Sequence, residues 1–177
     1  MDILAQYGIS PIPIEFCMQE IKFIKDTDVE QFLSVGVLNN NQFVYLVNVD
    51  INKITEVKVE GILKTFNSHK NMLSFLSIIK IRETLLAFCY EFTNFTLINY
   101  LYFLNQADNL QIRLSLFKQL LELINYLHLE NIELDSYNPK LFFIDIGSDN
   151  EPLLKLLFHS KFYFTYSFFY EIVRFNF

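Results

Sequence analysis

The sequence predicts an α+β protein, with strands in the first half of the chain and helices in most of the second. Two observations carry this prediction. Up to residue 92, apolar runs of strand length come in pairs separated by short polar turns. From residue 95 onward, apolar residues recur at helical spacing, and two further short strand-like runs follow the last helical pattern.

Strand patterns fill most of the first half. The run FCMQEIKFIKD, residues 16–26, alternates loosely and precedes the acidic connector TDVEQ. FLSVGVL and FVYLVNVDI flank the turn NNNQ, residues 39–42, where asparagine tolerates the left-handed backbone that a hairpin turn needs. MLSFLSIIKI and TLLAFCYEF, divided at residues 82–83, predict a second hairpin. Between the two hairpins, residues 52–66 have helical spacing and predict one helix.

Helical patterns dominate the second half. FTLINYLYFL, residues 95–104, predicts a short helix that the polar run NQADN ends. Residues 110–130 predict an amphipathic helix, whose apolar face carries Ile112, Leu116, Leu120, Leu123, Ile124 and Leu127. Two short strands, KLFFIDI and LLKLLF, follow on either side of GSDNEP. The segment over residues 161–177, called the aromatic tail below, is the most aromatic part of the chain.

Composition narrows the class of protein. The chain has 177 residues, enough for one domain, or for one domain in two small lobes, with a real core. Its net charge of −6 argues against a nucleic-acid binder, which needs clustered Lys and Arg to meet the phosphates. No apolar run reaches the roughly 20 residues that a membrane helix requires, so no membrane span is expected.

Cysteine and histidine usage predicts neither a disulfide framework nor a metal site. Cys17 and Cys89 are the two cysteines, and together with the three histidines they are scattered singly along the chain. A reduced, intracellular protein is therefore expected, cytoplasmic by default. The first residues, MDILAQYG, lack the basic-then-apolar pattern of a secretory signal.

Four motifs, in order and at ordinary spacings, resemble those of protein kinases. EGILKTFNSHKNM is similar to the regulatory helix and its exit, with Glu60 at the position of the conserved helix glutamate and HKNM for the usual H-P-N-I. LAFCYEF followed by FTLINYL resembles the strand, the hinge and the first helix of the larger lobe. INYLHLENI resembles the helix that leads into the catalytic loop, and LLKLL resembles the strand before the D-F-G metal loop.

The resemblance covers roughly residues 20–160 and implies a kinase-like arrangement of lobes. Residues 1–13 are then an N-terminal extension, residues 14–92 a smaller sheet lobe with one helix, and residues 93–177 a reduced helical lobe with the aromatic tail. A complete kinase continues well past the metal loop, whereas 17 residues follow Ser160 here. The resemblance therefore implies a larger lobe that is truncated at its carboxyl end.

The residues that catalyse phosphoryl transfer in the family are replaced at the matching positions. In YLVN, which resembles V-A-I-K, Asn48 stands where the phosphate-binding lysine belongs. Ser136 replaces the base, Leu141 the metal-binding asparagine and Phe158 the metal-binding aspartate. Across the H-R-D-L-K-P-x-N loop and the D-F-G loop, the degenerate positions are Leu134, Asp135, Ser136, Asn138, Leu141 and Phe158.

The segment at the place of the glycine-rich phosphate loop is acidic. KDTDVEQ contains no glycine and supplies Asp26, Asp28 and Glu30. Backbone amides approach phosphates closely only where side chains are absent, and carboxylates repel a nucleotide. With these losses, the resemblance implies an inactive kinase-like domain, a pseudokinase, that holds no cofactor and no metal.

Two alternatives stay open. One is a divergent nucleotide-binding or weakly active protein kinase that uses displaced residues such as Asp135, with a metal at Asp145 or Asp149. The other is an accidental resemblance, in which the chain is some other α+β structural subunit. Two of the three histidines are expected to be structural: His128 at the end of the long helix, and His69 fixing a loop through side-chain hydrogen bonds. His159 is expected to be exposed or packed.

The aromatic tail is the candidate interface. A shortened larger lobe leaves apolar helix surface uncovered, and large apolar patches usually mark partner interfaces. Phe and Tyr concentrate at interface cores, although composition alone assigns them to a protein core as readily. The expected function is a scaffold or structural subunit that binds other proteins in a larger complex, through Phe162, Tyr163, Phe164, Tyr166, Phe168, Phe169, Tyr170, Phe175 and Phe177.

Overall fold

The computed structural model describes residues 3–6, 8–23, 33–53, 69–93, 95–105, 109–130, 139–147 and 149–157. These residues form helices and two mainly antiparallel sheets, which confirms the α+β class. The chain divides into two compact units. The first comprises Met1–Asn67 and Leu73–Phe92, and the second comprises Ser68–Met72 and Thr93–Phe177.

A six-stranded sheet forms the first unit. Its spatial order is β1-β5-β6-β4-β3-β2, with strands β1 (Ile12–Pro13), β2 (Met18–Phe23), β3 (Leu33–Leu38), β4 (Phe43–Asp50), β5 (Phe75–Arg82) and β6 (Leu85–Glu91). Neighbouring strands are antiparallel except β1, which pairs with β5 in parallel. The other described elements of this unit are the four-residue helix α1 (Ile3–Gln6) and 3-10 helices at Ile14–Phe16 and Ile51–Lys53.

Both hairpins predicted for this unit are confirmed. β3 pairs with β4, and β5 pairs with β6. In the first turn, Asn41 has a φ of 63°, the left-handed conformation that the asparagine-rich turn predicts. The Leu38 N–H donates to the carbonyl of Gln42 at 2.9 Å and so closes this turn.

Residues within the segment interpreted as an N-terminal extension take part in the first unit. Ile12 and Pro13 add the parallel edge strand to the sheet. Leu4 is buried, and its carbonyl accepts the N–H of Ile9 at 3.0 Å where α1 ends. Gly8 has a φ of 68° at this end, the left-handed conformation with which glycine terminates many helices.

The second unit combines two longer helices with a three-stranded sheet. The helices are α2 (Leu97–Asn105) and α3 (Leu110–Leu129), and a 3-10 helix follows at Pro139–Leu141. The sheet has the order β7-β8-β9 and is antiparallel throughout, with strands β7 (Phe95–Thr96), β8 (Phe142–Ile146) and β9 (Pro152–Leu156).

The long predicted helix is confirmed as α3. Its fully buried side chains are those of Leu116, Leu120, Leu123 and Leu127. The predicted face was wider than the buried one, since Ile112 and Ile124, at its two margins, are half-buried. The periodicity therefore predicts the direction of the buried face correctly and overstates its width.

The short helix is confirmed with a later start. α2 begins at Leu97, whereas the pattern predicts a start at Phe95, because Phe95 and Thr96 pair with β8 as strand β7. The Thr96 Oγ1 accepts the N–H of Asn99 at 3.2 Å, the hydrogen bond of a residue that caps a helix N-terminus.

The last two predicted strands are confirmed as the hairpin of β8 and β9. Lys140 and Leu141, predicted as the start of a strand, lie in the 3-10 helix instead. Asn150 has a φ of 62° in the turn between the strands, and its N–H donates to the carbonyl of Gly147 at 3.0 Å. Of the predicted helix over residues 52–66, the structure describes Asn52 and Lys53. Residues 54–66 lie outside the described residues.

Candidate functional site

Asn48, predicted from the sequence to replace a phosphate-binding lysine, lies near the end of β4. It pairs with Ala87 of β6. It shares a face of the sheet with Val44 and Leu46, because residues two apart on a strand point to the same side. Its Oδ1 atom is buried and has no hydrogen-bond partner among the described residues. An amide carries no positive charge, so this position lacks the group that would hold a phosphate.

An apolar cluster fills the sheet face that carries Asn48. Its buried members are Met18, Val44, Leu46, Ile79, Ala87 and Cys89. Five partly buried side chains pack against it, those of Ile14, Cys17, Ile21, Leu38 and Ile81. This face of the sheet is therefore occupied by the protein's own side chains.

The surroundings of Gly36 show how closely the apolar cluster is packed. A Cβ atom at this position of β3 would lie 2.7 Å from Met18 Cε and 2.9 Å from Leu46 Cδ1. Both distances are well below the roughly 3.5–4.0 Å at which carbon atoms attract each other. The absence of a side chain at Gly36 thus lets Met18 and Leu46 lie directly against the backbone of β3.

The two cysteines lie in or against the apolar cluster and are not activated. Burial raises the pKa of the Cys89 thiol to about 11, and a hydrogen bond with Ser77 offsets part of this effect. Burial, together with the negative charge of Glu15, also raises the pKa of Cys17. Since the thiolate is the nucleophilic form of cysteine, neither residue has the properties of a catalytic nucleophile.

Leu141 is the residue predicted from the sequence to replace a metal-binding asparagine. It lies in the 3-10 helix before β8, and its side chain is buried. Its carbonyl accepts the N–H of Leu157 at 2.9 Å, which places it beside the residue that follows β9. Mg²⁺ takes oxygen ligands, and an aliphatic side chain supplies none.

The remaining predicted site residues lie outside the described residues. From the catalytic and metal loops these are Leu134, Asp135, Ser136, Asn138 and Phe158. Glu60, the acidic segment of residues 25–31 and the nine interface candidates between Phe162 and Phe177 also lie outside them. Of the site residues predicted from the sequence, the structure therefore describes two, Asn48 and Leu141.

In the acidic turn between β8 and β9, a carboxylate hydrogen-bonds to the backbone of the turn itself. The Asp149 Oδ1 accepts the N–H of Glu151 at 3.2 Å. Among the described residues, no group of three or more His, Cys, Asp or Glu side chains is placed to hold a metal ion. The carboxylate of Asp149 therefore acts as a turn-capping group.

A partly buried polar network, which the sequence patterns did not predict, lies along the outer edge of β9. The Asn71 Nδ2 donates to Gln119 Oε1 at 3.0 Å and to the carbonyl of Leu154 at 2.7 Å. Gln119 Oε1 also accepts the Leu154 N–H at 2.9 Å, and its Nε2 donates to the carbonyl of Pro152 at 3.0 Å. No local signal marks Gln119, because its partners Asn71 and Leu154 are 48 and 35 residues away in sequence.

His69 and Lys70 join the same segment to α3. The ring of His69 stacks on Tyr126 with centroids 4.6 Å apart, and its Nδ1 accepts the Asn71 N–H at 3.2 Å. Lys70 Nζ lies 3.2 Å from a carboxylate oxygen of Glu122. His69 thus fixes a loop through its side chain, as expected. His128, also expected to be structural, is exposed in the last turn of α3.

Comparison with known proteins adds no relative to this picture. A search of protein-family models finds no match to the chain, and a search of curated proteins finds none either. Within the part of the chain that the structure describes, no helix is both long enough and apolar enough to cross a membrane. The class that the fold itself defines is an α+β protein of two units.

Proposed function

We propose that this chain is a catalytically inactive, protein-kinase-like domain that acts as a scaffold or structural subunit in a protein assembly. The order of its described elements supports the proposal. The strands of the sheet unit are followed by β7, then by α2 and α3, and then by the β8–β9 hairpin. The kinase-like motifs of the sequence occur in the same order.

The main support for the proposed absence of catalysis is the apolar cluster on the face of β4 to which Asn48 belongs. In kinases the lysine of this strand pairs with the phosphates of ATP. Here the position carries an uncharged amide, and Leu46 and Ala87 beside it belong to a closely packed apolar cluster. Phosphoryl transfer depends on positioned metals and positive charges, and neither Asn48 nor Leu141 supplies any.

Exposed aromatic side chains support a role in binding other proteins. Phe16 is 73% exposed, and Tyr102 and Phe103, neighbours on α2, are 69% and 66% exposed. Tyrosine and phenylalanine are enriched where interfaces are fully buried, since they bury a large area with few rotatable bonds. The aromatic tail adds nine further residues of these two types.

Thermal unfolding with and without Mg-ATP tests the catalytic part of the proposal. A ligand at a hundred times its Kd adds about 2.7 kcal/mol to the folded state, which raises the Tm of a domain of this size by about 5–10 °C. We expect no such rise, and Mg²⁺ without nucleotide controls for effects of the metal. A rise of that size that requires the nucleotide contradicts the proposal and favours the divergent nucleotide-binding protein.

Affinity purification from the native source tests the scaffold part. We expect the tagged chain to copurify with a defined set of proteins in fixed proportions, measured by quantitative mass spectrometry. A Phe168→Ser, Phe169→Ser variant is expected to lose them, and a Leu129→Ser variant, changed at an exposed apolar residue of α3, is the control. A chain that isolates as a monodisperse monomer with no constant partner contradicts the scaffold role.

A further inference from the structure

Helix α3 carries a second apolar stripe besides its buried one. At 100° per residue, Leu110, Leu114, Phe117 and Leu121 lie within an arc of about 60°, called the outer stripe below. The buried stripe, which runs from Leu116 to Leu127, is centred about 120° away around the same helix. The two stripes are therefore distinct faces.

Three of the four residues of the outer stripe are exposed. Leu110 is 52% exposed, Leu114 is 49% exposed and Leu121 is 45% exposed, while Phe117 between them is half-buried. A helix that meets the rest of a protein on one side carries charged and polar residues on its other faces. An ordered row of apolar residues on a second face is typical of a helix that packs on two sides.

We infer that the aromatic tail, residues 161–177, packs on the outer stripe of α3 within the same chain. This inference goes beyond the proposed function, because it holds whether or not the chain is related to kinases. Three properties of the chain support it: the position at which the described residues end, the length of the segment that follows them, and the composition of the tail.

The hydrogen bonds of Gln119 show where the described chain ends relative to α3. This residue is at the middle of α3, and its Oε1 accepts the N–H of Leu154 at 2.9 Å. β9 is thereby held against α3, and the described chain ends at Leu157, one residue beyond β9. Residues 158–177 therefore start close to α3.

The length of this segment suffices to reach and cover the outer stripe. Gln119 and the outer stripe lie on opposite sides of α3, so the chain has to pass around half of a helix about 10 Å wide, a path of about 16 Å. About five extended residues cover that path. The remaining 15 or so span about 22 Å as a helix, more than the roughly 16 Å between Leu110 and Leu121.

Composition and tethering favour the tail over other occupants. The aromatic tail has nine Phe and Tyr residues and three charged ones, Lys161, Glu171 and Arg174. A segment joined by a short linker has an effective concentration of the order of millimolar, which exceeds that of a free second copy. Nine aromatic residues exceed what a four-residue stripe covers, so the tail retains side chains for the proposed protein partner.

Photo-crosslinking in the full chain tests this inference. Benzoylphenylalanine replaces Phe168 in one sample and Phe169 in another, since neighbouring residues point in different directions. After irradiation, peptide mapping by mass spectrometry is expected to find crosslinks to residues 110–121 from at least one position. A mixture of isotope-labelled and unlabelled protein separates crosslinks within a chain from those between chains.

Substitutions on α3 complete the test. A Leu114→Asp, Leu121→Asp variant is expected to lose the crosslink, whereas Leu129→Asp, at a residue that is 72% exposed on another face of α3, is expected to keep it. Crosslinks from both positions to other segments, crosslinks between two copies, or a yield unchanged in the double variant overturn the inference. If the double variant does not fold, the crosslinks mapped in the protein without substitutions on α3 are sufficient to test the inference.

Discussion

The side chains of Asn71 and Gln119 hydrogen-bond to each other at 3.0 Å, and both also bind the backbone of Leu154. β9 is an edge strand, and such an edge normally presents unpaired N–H and C=O groups to other chains. The carbonyl of Asn71 completes the arrangement by accepting the N–H of Leu156 at 2.8 Å. Groups from two distant segments thus form hydrogen bonds with the edge of β9, as a neighbouring strand would.

We expect Gln119→Leu to lower the free energy of unfolding by about 2–4 kcal/mol, because it leaves the N–H of the buried Leu154 and the carbonyl of the half-buried Pro152 without the partners they have in Gln119. Urea unfolding monitored by circular dichroism measures the change. Gln111→Leu, at an exposed position of the same helix, is the control and is expected to stay within about 0.5 kcal/mol of the original protein. Equal effects of the two substitutions would show that the network contributes nothing to stability.

We expect the free energy of unfolding to decrease as the pH is lowered, because His69 becomes protonated. Burial, with a further contribution from Lys70, lowers the pKa of His69 below 6.5, although Glu122 opposes this. The unfolded chain therefore binds the proton at a higher pH than the folded one. The contribution to stability is complete above about pH 6.5 and is lost as the pH falls through the folded pKa, because a protonated Nδ1 no longer accepts the Asn71 N–H.

Urea midpoints between about pH 7.5 and about pH 5 measure this dependence, within the range where histidine titrates. His69→Gln is expected to flatten the profile. His128→Gln, changed at the exposed end of α3, serves as the matched control and retains the slope. Parallel profiles for the His69→Gln variant and the original protein would assign the pH dependence to other groups.

Gly36→Val is expected to destabilise the first unit by about 1–3 kcal/mol, since its side chain overlaps Met18 and Leu46. Adding Met18→Ala is expected to recover part of the loss by making room for the valine. A double-mutant cycle from urea unfolding measures this coupling. Purely additive effects would mean that the strain at residue 36 arises elsewhere than at Met18.

Asn48→Leu is expected to leave stability unchanged or to raise it by up to about 1 kcal/mol, because it removes a buried amide oxygen that has no partner among the described residues. The Leu46→Ala variant, two residues away on the same face, is the contrasting case and is expected to lose about 2–5 kcal/mol. Thermal and urea unfolding measure both. A large loss in Asn48→Leu would show that the amide makes a hydrogen bond that stabilises the sheet.

Elements that depend on local chemistry were predictable. The β3–β4 turn follows from the tolerance of asparagine for the left-handed conformation, which Asn41 adopts. α3 follows from the spacing of its leucines, since a helix buries one face wherever it packs.

Tertiary packing decided how those elements are used. Phe95 and Thr96 have a helical pattern but pair with β8, and Ile12 and Pro13 join a sheet edge that no local pattern indicates. The partners of Asn71 were equally hidden. Periodicity reports the conformation of a segment and which of its faces is buried, because both depend on near neighbours in the chain. Hydrogen bonds such as that between Asn71 and Gln119 depend on which distant segments meet, and that is settled only when the chain closes on itself.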